Sequence, residues 1–112
     1  MKKATLISFG VLILSASLLL AAELEKHTYK PRDGYVPDAQ TAVKIAEAVL
    51  VPIYGEGVIG KEKPLVAELN QDVWTVNGTL NCPDPASDCL GGVAVIEISK
   101  DDARILRVSH GK

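Results

Sequence analysis

Between Gly34 and Tyr54 the apolar residues recur with a helical period. Ala42, Ile45, Ala46, Val49, Leu50 and Ile53 fall on one stripe, and Gln40, Lys44 and Glu47 face away from it. The spacing predicts one amphipathic helix around which the rest of the chain is organised. Its start is marked. Pro37 biases Val36 toward extended backbone, and the Asp38 carboxylate can accept from the free N–H of Gln40 or Thr41. Its end is less regular. Pro52 cannot donate to Ala48 and disfavours helix at Val51. Because the stripe runs on to Ile53, the expectation is a kink at Pro52 and an end at Gly55. A short helical turn over Glu56–Gly60 and a solvated loop over Lys61–Pro64 complete this half of the chain.

From Leu65 the period falls to two. Leu65, Ala67 and Leu69 alternate with Val66 and Glu68, and Trp74, Val76 and Leu80 alternate with Thr75, Asn77 and Thr79. Asn70-Gln71-Asp72 is the turn between them. Asn77-Gly78 is a rival hairpin signal, rejected because it would leave Val73–Val76 very short and the Asn70–Asp72 turn without a use. The sequon Asn77-Gly78-Thr79 then falls inside a strand and is read as chance. Residues 81–92, dense in Pro, Asp and Gly, form an irregular loop. Val93–Ser99 is a strand with Ala94, Ile96 and Ile98 on one face. After a turn at Lys100–Ala103, Arg104–His110 is a last strand with Leu106 and Val108 inward. The expected fold is α+β: one long N-terminal helix packed on a four-stranded antiparallel meander.

The first 22 residues stand apart. Met1-Lys2-Lys3 is basic, and the 19 residues Ala4–Ala22 carry no charge. This is the pattern of an export signal. An uncleaved anchor helix is the other reading, since ~20 apolar residues span a bilayer. Both readings keep Lys2 and Lys3 in the cytoplasm and put the rest outside it, periplasmic or secreted, with a membrane contact only if the segment stays uncut. Residues 23–33 read as a polar arm and 34–112 as a single domain. The 90 residues after the signal hold ten Lys/Arg against fourteen Asp/Glu, a net charge of −4. With no basic patch, nucleic acid is a poor partner. A chain this short buries only about 60–65% of its unfolded surface, so a covalent staple would matter.

Cys82 and Cys89 are the two cysteines, and they flank the irregular loop. In an exported chain a disulfide is expected. The alternative, a metal site with Asp84 and Asp88, matches no standard zinc spacing, and no cofactor is expected. Glu97 lies between Ile96 and Ile98 and faces away from them. Arg107 or Arg104 is its expected cross-strand partner, and covered it would mark a site. Trp74 is a core anchor if buried and a binding hot spot if exposed. His27 is read as solvated. No nucleophile with a paired His and Asp can be named from spacing, so the chain is expected not to be an enzyme. If it were one, Glu97, Tyr54 or His110 would be its acid or base.

The segments GYVPDAQTAVKIAEAVLVPIYGEGVI, KPLVAELNQDVWTVNGTL and GGVAVIEISKDDARILRVSHGK together resemble bacterial immunity proteins with a nuclear-transport-factor-2-like, cystatin-like fold. The resemblance implies a cognate protein toxin as partner, inhibition without turnover, and homodimerisation through an exposed sheet face. It brings no catalytic motif. Among the matching positions, Glu47, Tyr54, His110 and Lys112 are polar residues that packing does not need. With Trp74 and Glu97 they are the candidate partner-binding residues. Two departures stand out. The Cys82–Cys89 loop looks like an insertion, and the chain is short for the full fold. The expectation is an exported immunity protein or inhibitor. The alternative is a small-molecule or peptide binding module on the same fold, using Trp74 and Glu97.

Overall fold

The computed structural model describes residues 28–83 and 91–112. The segment read as a signal or anchor, and Cys89, lie outside them. The chain divides into two compact units, Met1–Lys30 and Pro31–Lys112. Of the first, only residues 28–30 are described. The second carries all the elements that follow.

Helix α1 spans Ala39–Tyr54. The Asp38 carboxylate caps it, accepting from the Thr41 amide at 2.8 Å and the Thr41 hydroxyl at 2.7 Å. These two bonds, the hydroxyl foremost, hold the Asp38 carboxyl below its usual range. Pro52 sits inside the helix, which continues to Tyr54, and Gly55 closes it by donating to the Val51 carbonyl at 2.8 Å. Pro52 has no N–H to give the Ala48 carbonyl, and the helix runs two residues beyond it. A second helix, α2 (Glu56–Lys61), follows directly.

Strands β1 (Val66–Asn70), β2 (Val73–Asn77), β3 (Ala94–Ser99) and β4 (Ile105–His110) form one antiparallel sheet in the order β1-β2-β3-β4. The β1–β2 hairpin closes between Asn70 and Val73 through Gln71 and Asp72, both at positive φ (49° and 62°). This is the two-residue turn whose twist suits a hairpin. Asn77-Gly78 makes no hairpin. β2 ends at Asn77, and Gly78 goes on to donate to the Ala94 carbonyl.

The core is the contact between one helix face and one sheet face. Ala42, Ala46 and Leu50 of α1 are fully buried, as are Val76, Ala94, Ile96 and Ile98 on the sheet. Two of the three buried helix residues are alanines, which let the helix axis come close to the strands, and Leu50 is the largest of the three. Ile59 of α2, Leu65 and Val36 complete the cluster. Trp74 is 7% exposed, and its indole N–H donates to the Val36 carbonyl at 2.8 Å, tying the segment before α1 to the sheet.

Four inward expectations fail at the edges. Ile53 is 53% exposed, because the helix outruns the surface it packs on. Leu80 lies past the end of β2 and is exposed, as is Leu69 on the edge strand β1. Leu106 is exposed because the β3–β4 register shifts there: Glu97 faces Arg107 but Ile98 faces Ile105, so Leu106 is the extra residue of a bulge. The loop at residues 61–64 also needs correction. Glu62 within it is buried.

The helix–sheet contact therefore depends on Leu50 and not on Ile53. Leu50→Ala is expected to cost about 2–5 kcal/mol and Ile53→Ala to stay within about 0.5 kcal/mol, read as shifts in urea midpoint at unchanged m-value.

Candidate functional site

A cluster of polar side chains sits at the end of the sheet where β2 stops, β3 starts and β4 finishes. The centre is Glu62, the residue that closes α2. It is 7% exposed, and a buried carboxylate must be paired and hydrogen-bonded to stay charged. Its Oε1 accepts from the Ala94 amide at 2.6 Å, and its Oε2 meets His110 Nε2 at 2.8 Å. Its carbonyl accepts from the Thr79 amide at 2.7 Å. One residue thus joins α2, the exit from β2, the entry to β3 and the end of β4.

The surrounding turn is stitched to the same strands. The Thr79 hydroxyl donates to the Pro64 carbonyl at 2.6 Å, and the Asn81 amide donates to the carbonyls of Lys61 and Lys63 at 2.9 and 2.8 Å. The side that carries Oε1 leaves no room. A Cβ added at Gly78 would lie 2.5 Å from that oxygen, so the glycine is there for close approach. Gly92 meets Gly111 in the same way: a Cβ on Gly92 would lie 2.3 Å from the Gly111 Cα.

His110 has an acceptor at each ring nitrogen. Nδ1 is 2.7 Å from the Gly111 carbonyl oxygen, and Nε2 faces Glu62. Only the imidazolium has two N–H groups to donate to both. The bond to Glu62 is the main cause that raises the His110 pKa above the ordinary histidine value, and the Gly111 carbonyl adds to it. The Tyr54 ring lies 5.1 Å away, centroid to centroid, tilted at 52°. Both ring nitrogens are engaged, so proton exchange with a bound molecule would first break one of these bonds.

The predicted site residues divide. Tyr54 and His110 come together. Glu47 pairs with Lys63 at 2.6 Å, on the turn that holds Glu62. Lys112 is exposed two residues past His110. Glu97 is apart, on the opposite sheet face, paired with Arg107 at 3.2 Å. Trp74 is in the core and presents no ring to a partner, which removes the exposed aromatic that a binding-groove reading needs. Glu62 itself was missed. No local signal marks it: flanked by Lys61 and Lys63, it reads as one acid of a charged loop. Among the described residues no cluster of three or more His, Cys, Asp or Glu could hold a metal ion. An open groove at the other end of the sheet, lined by Arg32, Asp33, Asp72, Lys100 and Asp101, contains none of the predicted residues.

Gly78→Ala is expected to force Glu62 aside and cost about 1–3 kcal/mol. The same change at Gly57, where an added Cβ meets nothing within 4 Å, should be neutral or stabilising. Thermal melts of the two variants check this.

Residues 41–112 match the family described as NTF2 fold immunity protein. The chain is 38% identical over 78 residues to "Uncharacterized protein YhhH" of Escherichia coli (strain K12), which covers 69% of this chain and 58% of that protein. It is 34% identical over 90 residues to "Uncharacterized protein YbbC" of the same organism, covering 80% of this chain and 67% of the relative. The chain thus spans well under two thirds of the first relative and about two thirds of the second. No solved structure matches. The helix on a four-stranded antiparallel meander agrees with the family's fold, and the chain belongs to the NTF2 fold immunity proteins, a family whose general role is toxin neutralisation.

Proposed function

We propose that this chain is an exported immunity protein that neutralises one cognate protein toxin by surface complementarity, without turnover. The recognition surface is the end of the fold built around Glu62, together with the β2–β3 connection that leaves from it. The observation that carries this is the stitching at Glu62. Thr79, Asn81 and Ala94 are bonded to the turn at 61–64, so described residues on both sides of the β2–β3 connection are tied to one turn. Recognition loops are commonly displayed in this way. Half-buried Tyr54 lies against His110 beside it, and exposed Lys112 follows two residues after His110. Glu97 and Arg107, on the other sheet face, form a separate surface suited to pairing with a second copy.

Export rests on the basic start and the uncharged run at residues 4–22. A Cys82–Cys89 disulfide suits that compartment. Closing a loop of about eight residues stabilises by roughly 2.5 kcal/mol on the chain-entropy estimate.

The test is co-expression. A toxin encoded beside this gene should lose its toxicity when this chain is co-exported, and the two should co-purify in a fixed ratio. Toxicity unchanged by the co-exported chain would overturn the inhibitor reading. Cell fractionation is expected to place the chain outside the cytoplasm. In non-reducing gels of that fraction, Cys82→Ser and Cys89→Ser should abolish the same mobility shift.

A further inference from the structure

We propose that His110, held between the Glu62 carboxylate and the Gly111 carbonyl, is a proton-dependent clasp that sets how firmly both ends of the β2–β3 connection are held. The geometry requires it. A neutral imidazole has one N–H and one lone pair. In one tautomer the lone pair faces Glu62 Oε2 at 2.8 Å, and in the other it faces the Gly111 oxygen at 2.7 Å. Losing the proton therefore breaks one of the two bonds, whichever tautomer remains.

Either break reaches the connection. If Glu62 loses its charged partner, its buried carboxylate keeps one donor, the backbone amide of Ala94 at the start of β3. The same residue's carbonyl holds Thr79 on the outgoing side. If the Gly111 bond is lost instead, Gly111 keeps only the bond its amide donates to the Val93 carbonyl on the returning side. The residues just beyond, 81–83 and 91–93, are the two feet of the connection that holds both cysteines.

Among the described residues, the charged and titratable groups on the elements that meet the ring are these. α1 brings Tyr54 and, paired to Lys63, Glu47. α2 and its turn bring Lys61 and Glu62, and the chain end brings Lys112. The charge on β3 is Glu97, held by Arg107 on the far face of the sheet. Glu62 is the charge that acts on the ring. Because the folded-state pKa of His110 is raised, the clasp's stabilisation is complete below the unfolded histidine value and is lost as pH rises through the folded value. Acid closes the clasp, and alkali above the ordinary histidine range opens it.

The protein as the cell makes it would be labelled with 15N and 13C and titrated by NMR from about pH 5 to about pH 9, a range that brackets the histidine transition. His27→Gln assigns the second imidazole. His110 is expected to titrate above the ordinary value, and the amides of Ala94, Thr79 and Gly111 to shift with the same midpoint. Hydrogen exchange at Ala94, corrected for its intrinsic pH dependence, should quicken roughly fivefold on the alkaline side, the size of one net hydrogen bond. In His110→Gln, which keeps a donor for Glu62 but cannot titrate, the linked shifts should vanish. A His110 midpoint at or below the ordinary value would overturn the proposal. So would amides that ignore that midpoint, or the same shifts persisting in His110→Gln.

Discussion

The structure depends on one contact, the burial of the Ala42–Ala46–Leu50 face of α1 against Val76, Ala94, Ile96 and Ile98. Among the described residues the buried apolar side chains form this one cluster. The chain supports the contact from both ends. Trp74 reaches out of the sheet to hold the Val36 carbonyl ahead of the helix. Ile59 of α2, which follows Gly55 directly, is buried in the same cluster. The outer face of the sheet carries polar and β-branched residues and pairs such as Glu97 with Arg107, worth little to stability in the open.

At one end of that contact the apolar logic gives way to a polar one. Three chain segments must come together where β2 leaves, β3 enters and β4 finishes, and their backbones carry donors and acceptors that the sheet ladder no longer satisfies. Glu62 meets this need with a single side chain and its own carbonyl. A buried carboxylate is costly unless its lone pairs are used, and here both oxygens are used. Among the described residues no buried side-chain polar atom is left without a partner. These bonds tie described residues on both sides of the β2–β3 connection to the same turn.

The elements and their order were legible along the chain because each follows from local pattern. The helix period, the Asp38 cap, the Asn70–Asp72 turn and the alternation of Ala94, Ile96 and Ile98 are properties of neighbouring residues, and each appears where the pattern puts it. The misses lie where local pattern meets an edge. Ile53, Leu69, Leu80 and Leu106 are in phase with the core, but they extend past it or fall in a bulge. Periodicity says which way a residue faces and not whether anything is there to cover it.

What the sequence by itself determined is a helix, four alternating strands in meander order, and the inward set of β2 and β3, because these rest on contacts between residues close in the chain. What only the tertiary structure decided is the site. Glu62 looks like one acid in a charged loop, yet it is buried by Gly78 and bonded to Ala94 and His110, which lie 32 and 48 residues further along. Tyr54 and His110 could be named as polar residues without a packing role, but their contact exists only once α1 and β4 are in place. Burial and pairing at such distances are set by how the layers close, and no window on the chain contains them.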